Sequence, residues 1–419
     1  MRADVSLSTK FLTTQNAHQV GLLLTLSGET PAQRAPINVA LVLDRSGSME
    51  GMPMEAAKEA ARRFASFLTA QDRLSVVAFD DVVDTVYGPA AGGDPAAEQA
   101  IDLLFARGST NLSGGWLKGL QHAQRGLVDG TNRVVLLTDG QANQGVVDPD
   151  QLQAMTQAGA GNRVTTTCIG FGAGYNEDLL EPMSRRGGGN FWHVESHDQM
   201  AGIFEEEIEG LVALAAQNVE VEVRLTHAKA HGVSFLQSYP VQTTPEGTWR
   251  VKLHDLYATS PKALGLVFHV EDVRELGKVE VAQVRIEADV VSERGIEHRL
   301  IVMPVMANLD GEDHVEPTVE QTFLRFEAAK AREEAIRRAD RGDYDGAAAC
   351  LRAVSASLMP HAAASSMLAE EMQDLYAQAE RHASRSYDAM DRKYDAARAM
   401  GARDMKEGYI RKMRRPRPE

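Results

Sequence analysis

Two cysteines in 419 residues are too few for a disulfide scaffold. Cys168 falls in an apolar, strand-like run and Cys350 in a helical one. Both read as reduced thiols, Cys168 packed and inert, and the expected location is the cytoplasm. No apolar run approaches the length of about 18 residues that a membrane span requires, so none is expected. Met1 to Lys10 alternate polar and apolar residues without a long apolar core, so no leader peptide is expected either. Basic charge is in short supply: 44 Lys and Arg against 59 Asp and Glu leave a net charge of −15, which argues against a nucleic-acid-binding surface. The twelve histidines are scattered, with no His-Glu-x-x-His pair. Gly170-Phe171-Gly172-Ala173-Gly174 lacks the dinucleotide spacing because residue 175 is Tyr, and Gly187-Gly188-Gly189 is followed by no Lys-Ser or Lys-Thr. The chain has no nucleotide loop of its own.

What is present falls into parts. Residues 1–35 carry two strand-like runs, Val5 to Phe11 and Gln19 to Ser27, that cannot make a stable sheet alone. Residues 36–217 alternate strand and helix, with strands expected at 37–43, 73–79, 133–138, 163–171 and 190–195. A shorter run, Val82 to Tyr87, reads as an antiparallel edge strand. This alternation predicts an α/β unit, a Rossmann-like, doubly wound, mostly parallel sheet with helices on both faces. Its last helix is expected at 198–216, with Glu205-Glu206-Glu207 on a wet face. In residues 218–307 the period changes to two (Val219, Val221, Val223, Leu225; Trp249, Val251, Leu253), as in an antiparallel β-sandwich. The strands at 1–35 most economically join that sandwich. Residues 308–400 open with an acidic linker (Asp310, Glu312, Asp313, Glu316) and continue as an Ala-, Glu- and Arg-rich helical bundle. Arg341-Gly342-Asp343-Tyr344-Asp345 forms the turn of its first hairpin. Residues 401–419 are a basic tail.

The organising stretch is Ile37 to Met49. Its near-continuous apolar run to Leu43 reads as a strand buried on both faces of a parallel sheet. It stops at Asp44, with Ser46 and Ser48 on alternate residues and Pro53 opening an amphipathic helix. Two further loops add oxygen donors: Thr110 in Gly108-Ser109-Thr110-Asn111-Leu112, and Asp139 directly after the strand 133–138. Carboxyl ends of strands are where open α/β sheets bind ligands. Asp44, Ser46, Ser48, Thr110 and Asp139 make a hard oxygen set without His or Cys. It suits Mg²⁺ or Mn²⁺, with Ca²⁺ also accommodated, and is wrong for structural zinc. Alone, the first loop reads equally well as a helix-capping turn, since Asp and Ser are good N-caps. Asp80, Asp81 and Asp84 read as a solvated edge rather than a second cation site.

At these residues the sequence resembles a von Willebrand factor A domain of bacterial multi-domain type, carrying a complete metal-ion-dependent adhesion site. Asp44, Ser46, Ser48, Thr110 and Asp139 match the family's Asp-x-Ser-x-Ser, distant Thr and further Asp, and Leu-Val-Leu-Asp-Arg-Ser-Gly-Ser-Met and Val-Leu-Leu-Thr-Asp-Gly-Gln-Ala-Asn match its flanks. More loosely, the order of parts resembles the inner-layer proteins of vesicle coats. The resemblance implies direct metal ligation by Ser46, Ser48 and Thr110, with Asp44 and Asp139 acting largely through water. It implies a vacant position that an Asp or Glu of a protein partner fills. Arg45, Met49 and Asn111, around the metal, are then expected to face that partner. The expectation is a binding or scaffold protein rather than an enzyme, since nothing nearby supplies a nucleophile or poised base. An assembly factor for a separate AAA+ ATPase of the chelatase or MoxR type is the alternative, and a metal-dependent hydrolase ranks below both.

Overall fold

The computed structural model describes residues 1–8, 18–30, 34–172, 174–271, 277–292, 295–308 and 317–405. The chain opens with an antiparallel pair, β1 (Arg2–Leu7) and β2 (His18–Ser27). Then come β3 (Ile37–Asp44), α1 (Met52–Phe67), β4 (Arg73–Phe79), β5 (Val83–Ala91), α2 (Pro95–Asp102), α3 (Leu112–Arg125) and β6 (Thr131–Thr138). The alternation continues through α4 (Pro149–Gly161), β7 (Thr165–Phe171), α5 (Glu177–Arg186), β8 (Gly188–Val194) and α6 (His197–Val212). The strands β3 to β8 form one sheet in the order β5-β4-β3-β6-β7-β8, parallel except for the antiparallel edge strand β5.

All eight residues of β3 are buried, since helices cover both faces of this central strand. Each of its large aliphatic side chains contributes about 1.5–3 kcal/mol by leaving water. On one face α1 presents Phe64, whose ring meets Phe204 of α6 edge-on at 6.2 Å. On the other, α3 lies so close that a Cβ on Gly119 would sit 2.4 Å from Val42 Cγ2. That close approach, rather than backbone freedom, is why glycine stands there.

The helix expected to run to residue 216 ends at Val212, and β9 (Leu214–Leu225) begins at once. Leu214, Ala215 and Ala216 suit either state in isolation. Pairing of Leu214 with Tyr257 and of Ala216 with Leu256 and Val290 overrides alanine's helical preference. β9 leads into β10 (Ala230–Phe235), β11 (Val241–Thr243), β12 (Trp249–Tyr257), β13 (Lys262–Val270), β14 (Lys278–Ser292) and β15 (Gly295–Asn308). Two antiparallel sheets result, β1-β2-β13-β10 and β11-β12-β9-β14-β15. The amino-terminal pair joins the first through β2–β13 pairing, with Leu22 opposite Leu266. Leu22, Leu24, Leu264 and Phe268 of one sheet pack with Val221, Val223, Val251 and Ile286 of the other in a single buried core.

The helical region comprises α7 (Pro317–Asp340), α8 (Tyr344–Ala362), α9 (Ser366–Ala383) and α10 (Ala389–Arg403). Residues 309–316, expected as a linker, and the tail from 406 onward lie outside the described residues. The α7–α8 turn falls where Asp343 caps α8 by accepting from Gly346 N at 2.9 Å. Helix α10 returns to the α/β unit and adds Ala397 and Met400 to its core. Its Lys393 donates to Tyr175 O at 2.6 Å and also pairs with Glu177, while Arg392 binds Glu177 at 2.5 Å and Asp178 at 2.9 Å. Among the described residues, no helix is long and apolar enough to cross a membrane. Cys168 and Cys350 are both free, and burial pushes the Cys168 thiol up.

Beneath α10, His382 is fully buried, its ring stacked on Tyr387 at 3.9 Å between centroids, and neither ring nitrogen has a hydrogen-bond partner among the described residues. Burial, with Arg381 adding and Asp391 opposing, pushes its pKa down to about 4. The unfolded chain therefore takes up a proton that the folded chain refuses as pH falls below the ordinary histidine value, and stability is lost across that window. Asp395 has the opposite sign: burial pushes its carboxyl up to about 7, so the stability it contributes at low pH is lost as pH rises toward that value. Removing the histidine isolates one of the two slopes. His382→Leu is expected to gain about 3 kcal/mol on the wild type between pH 7 and pH 4, read by urea unfolding at both values. An unchanged difference between the two proteins would contradict this assignment.

Candidate functional site

The site is built where β3 and β6 end side by side. Asp44, the last residue of β3, is fully buried. One carboxylate oxygen accepts from Ser46 N at 2.8 Å and turns the chain; the other accepts from the Thr138 hydroxyl at the end of β6. This turn leaves Ser46 buried and Ser48 exposed. Ser46 Oγ lies 3.1 Å from Ser48 Oγ, and the exposed Ser48 donates to Asp139 Oδ1 at 2.7 Å.

The Thr110 loop is stitched to its neighbours by backbone bonds. Gly47 N donates to Gly108 O at 3.1 Å, and Asn143 N and Gln144 N donate to Thr110 O at 3.1 and 3.2 Å. Gly108 adopts φ +70°, and a Cβ there would fall 2.0 Å from Asp81 Oδ1, so the loop admits only glycine at this point. Thr110 is 4% exposed. Its Oγ1 and Asp44 Oδ2 lie 3.2 and 3.7 Å from one point, the Cβ position of Gly140. The structure thus brings Asp44, Ser46, Ser48, Thr110 and Asp139 together from three loops.

The other expected positions are used differently. Arg45, expected to face a partner, is 7% exposed and turned into the domain, with Nε 3.0 Å from Asp80 Oδ2 and a terminal nitrogen 2.5 Å from Asp84. Arg107 closes the same lattice at 2.6 Å from Asp80. Asp80 is therefore neither solvated nor a cation ligand; it is a buried counter-charge that braces the first loop. Met49, also expected to face outward, is fully buried in the α/β core. Asn111 is half-buried and caps α3 by accepting from Gly114 N at 3.0 Å. The large apolar side chains exposed on the neighbouring connections are instead Val82 between β4 and β5, Leu103 and Phe105 between α2 and α3, and Val147 between β6 and α4, with Met52 exposed at the start of α1. Sequence reasoning missed Thr138 and Arg107. Thr138 carried a signal in standing directly before Asp139, whereas Arg107 carried none.

Electrostatically the site is acidic and unbalanced. Burial, with Asp139 adding and the Thr138 and Ser46 hydrogen bonds opposing, pushes the Asp44 carboxyl up to about 6. Burial also raises Asp139, against the Ser48 hydroxyl. Among the described residues no basic side chain forms an ion pair with either carboxylate, because the two nearby arginines are committed to Asp80 and Asp84. No three His, Cys, Asp or Glu side chains among the described residues cluster as metal ligands. The oxygen count here comes from hydroxyls joined to two acids, a donor set that fits a small hard cation and leaves much of its charge uncompensated.

Residues 38–206 match the family model of the von Willebrand factor type A domain. An uncharacterized protein of Synechocystis sp. is 27% identical over 376 residues, covering 84% of this chain and 87% of its own. Inter-alpha-trypsin inhibitor heavy chain H1 of Bos taurus is 31% identical over 183 residues, 40% of this chain and only 20% of that protein's length. Among solved structures, the von Willebrand factor type A protein from Catenulispora acidiphila superposes with a TM-score of 0.66 at 19% identity, covering 90% of this chain and 89% of that one. That likeness extends the shared fold to the sandwich and helical region. Domains of this family commonly bind a divalent metal and mediate protein–protein interaction. By sequence match and by fold, residues 38–206 are a von Willebrand factor type A domain, set in a chain with two further antiparallel sheets and a carboxy-terminal helical region.

Proposed function

We propose that this protein is a metal-dependent protein-binding module, in which Asp44, Ser46, Ser48, Thr110 and Asp139 hold Mg²⁺ for capture of an acidic residue on a partner. One observation carries the reading: two partly desolvated carboxyls share three hydroxyls and no basic side chain among the described residues offsets them. When bound, the cation supplies a Lewis-acid position for an Asp or Glu carboxylate. This chain's own residues do the rest. Asp44 and Thr138 lock the strand ends, and the Arg45–Asp80–Arg107 lattice braces the loop. Binding is favoured over turnover because both oxygens of Asp44, whose pKa burial raises, already accept hydrogen bonds. The free thiols fit a cytoplasmic setting.

Affinity capture from the native cell lysate tests this. A partner retained in Mg²⁺ is expected to be lost in EDTA, to return on Mg²⁺ addition, and to be missing with Ser48→Ala. Retention that is indifferent to EDTA would eliminate the proposal.

A further inference from the structure

A second site lies away from the strand ends, where the three parts of the chain meet. A cavity of about 60 Å³, open on one side to solvent, is lined by the end of α5 and the start of β8 on the α/β side, by β12 and the start of β13 on the sandwich side, and by the end of α10. In a chain of net charge −15, its wall carries four basic side chains (Arg185, Lys252, Lys262, Arg403) and two acidic ones (Asp255, Asp404). The acids are already neutralised. Asp255 is bound by buried Arg133 and faces Lys262, and Asp404 accepts from Arg403 at 3.0 Å and from the Tyr239 hydroxyl at 3.1 Å.

Arg185 and Lys252 are the weakly compensated ones: Arg185 shares Glu181 with Arg403, which lies closer to it, at 3.2 Å. The Nε of Arg185 is shut off from solvent without a hydrogen-bond partner among the described residues, and its nearest acid, Glu181, stands 3.9 Å away. Its only other anchor among the described residues is a long bond, 3.4 Å, to Ser238 O. Lys252, an exposed side chain on the sandwich wall of the cavity, forms no ion pair among the described residues. A desolvated guanidinium donor left unsatisfied is costly, and an anion seated against it removes that cost.

We infer that this junction binds a small oxyanion of phosphate size, held by Arg185 from the α/β unit and Lys252 from the sandwich. The cavity's small volume matches an ion of that size. Because the two cations belong to different parts of the chain, an anion between them ties those parts together, and its binding stabilises the folded chain by linkage.

Isothermal titration of inorganic phosphate into the full chain, in EDTA and at chloride-matched ionic strength, tests the inference independently of the metal loops. A saturable single site is expected, weakened at least about tenfold in Arg185→Gln and in Lys252→Gln, each of which should melt like the wild type in chloride alone. The melting temperature of the wild type should rise with phosphate and that of the double variant should not. Absence of saturable heat, or binding unchanged in the double variant, overturns the inference. Tighter binding of succinate than of phosphate overturns the assignment of ligand class.

Discussion

Arg133→Leu is expected to destabilise the protein by about 3–5 kcal/mol, a large share of the total stability of a typical domain. Arg133 is fully buried on β6. Its guanidinium donates to Glu207 of α6 at 2.8 Å, to Thr165 at 2.9 Å, and to Asp255 of β12. One side chain thereby joins the parallel sheet, the last helix of the α/β unit and the sandwich. Burial alone would push Glu207 up, but Arg133, with the Thr167 and Asn190 hydrogen bonds, holds it below the usual carboxylate range. Asp255 stays raised by burial despite the same cation. Removing the arginine strands two desolvated acids, so the loss comes from what is left behind rather than from the pair's own net worth. Adding Glu207→Gln and Asp255→Asn to Arg133→Leu should therefore recover part of the loss. Urea unfolding of the wild type, the single variant and the triple variant reads both effects, and a single variant within 1 kcal/mol of the wild type would contradict the assignment.

The second large effect concerns the metal loops. Asp139→Ala leaves the fold standing, since Asp139 is half-buried and its one side-chain hydrogen bond among the described residues is to Ser48. Mg²⁺ affinity is nonetheless expected to fall about 10–100-fold, the usual range for losing a group that orients ligands. Thr138→Val should fall in the same range by a different route. It touches none of the proposed direct ligands but frees the Asp44 carboxylate from the end of β6. Competition against Mn²⁺ followed by electron paramagnetic resonance measures both. Affinity unchanged in Asp139→Ala would remove that carboxylate from the site.

Much of this was legible before any coordinates, and for identifiable reasons. A strand buried on both faces is mostly apolar, so Ile37 to Leu43 and Arg133 to Thr138 announced themselves despite the buried polar side chains of Asn38, Arg133 and Thr138. Val82 to Tyr87, shorter and flanked by acids, announced an edge. The oxygen donors were legible because their residue types stand in a known spacing, after the ends of β3 and β6 and, for Thr110, in the loop before α3. Tertiary charge pairing was not legible. Glu207 sits in a run of three glutamates that local sequence assigns to solvent, yet it lies on the helix face that meets Arg133, 74 residues earlier. Arg45 stands beside two proposed ligand positions and reads as partner-facing until the counter-charge at Asp80 is in view. The junction cavity was invisible for the same reason, since its walls come from segments up to about 220 residues apart.

The most direct test is titration of Mg²⁺ into the chelator-stripped wild type, followed by calorimetry. The account predicts one saturable ion per chain, abolished when Ser46 and Ser48 are both alanine while the thermal unfolding of the metal-free protein is preserved. A wild type that binds no divalent ion, or a double variant that binds it as well as the wild type, would contradict it.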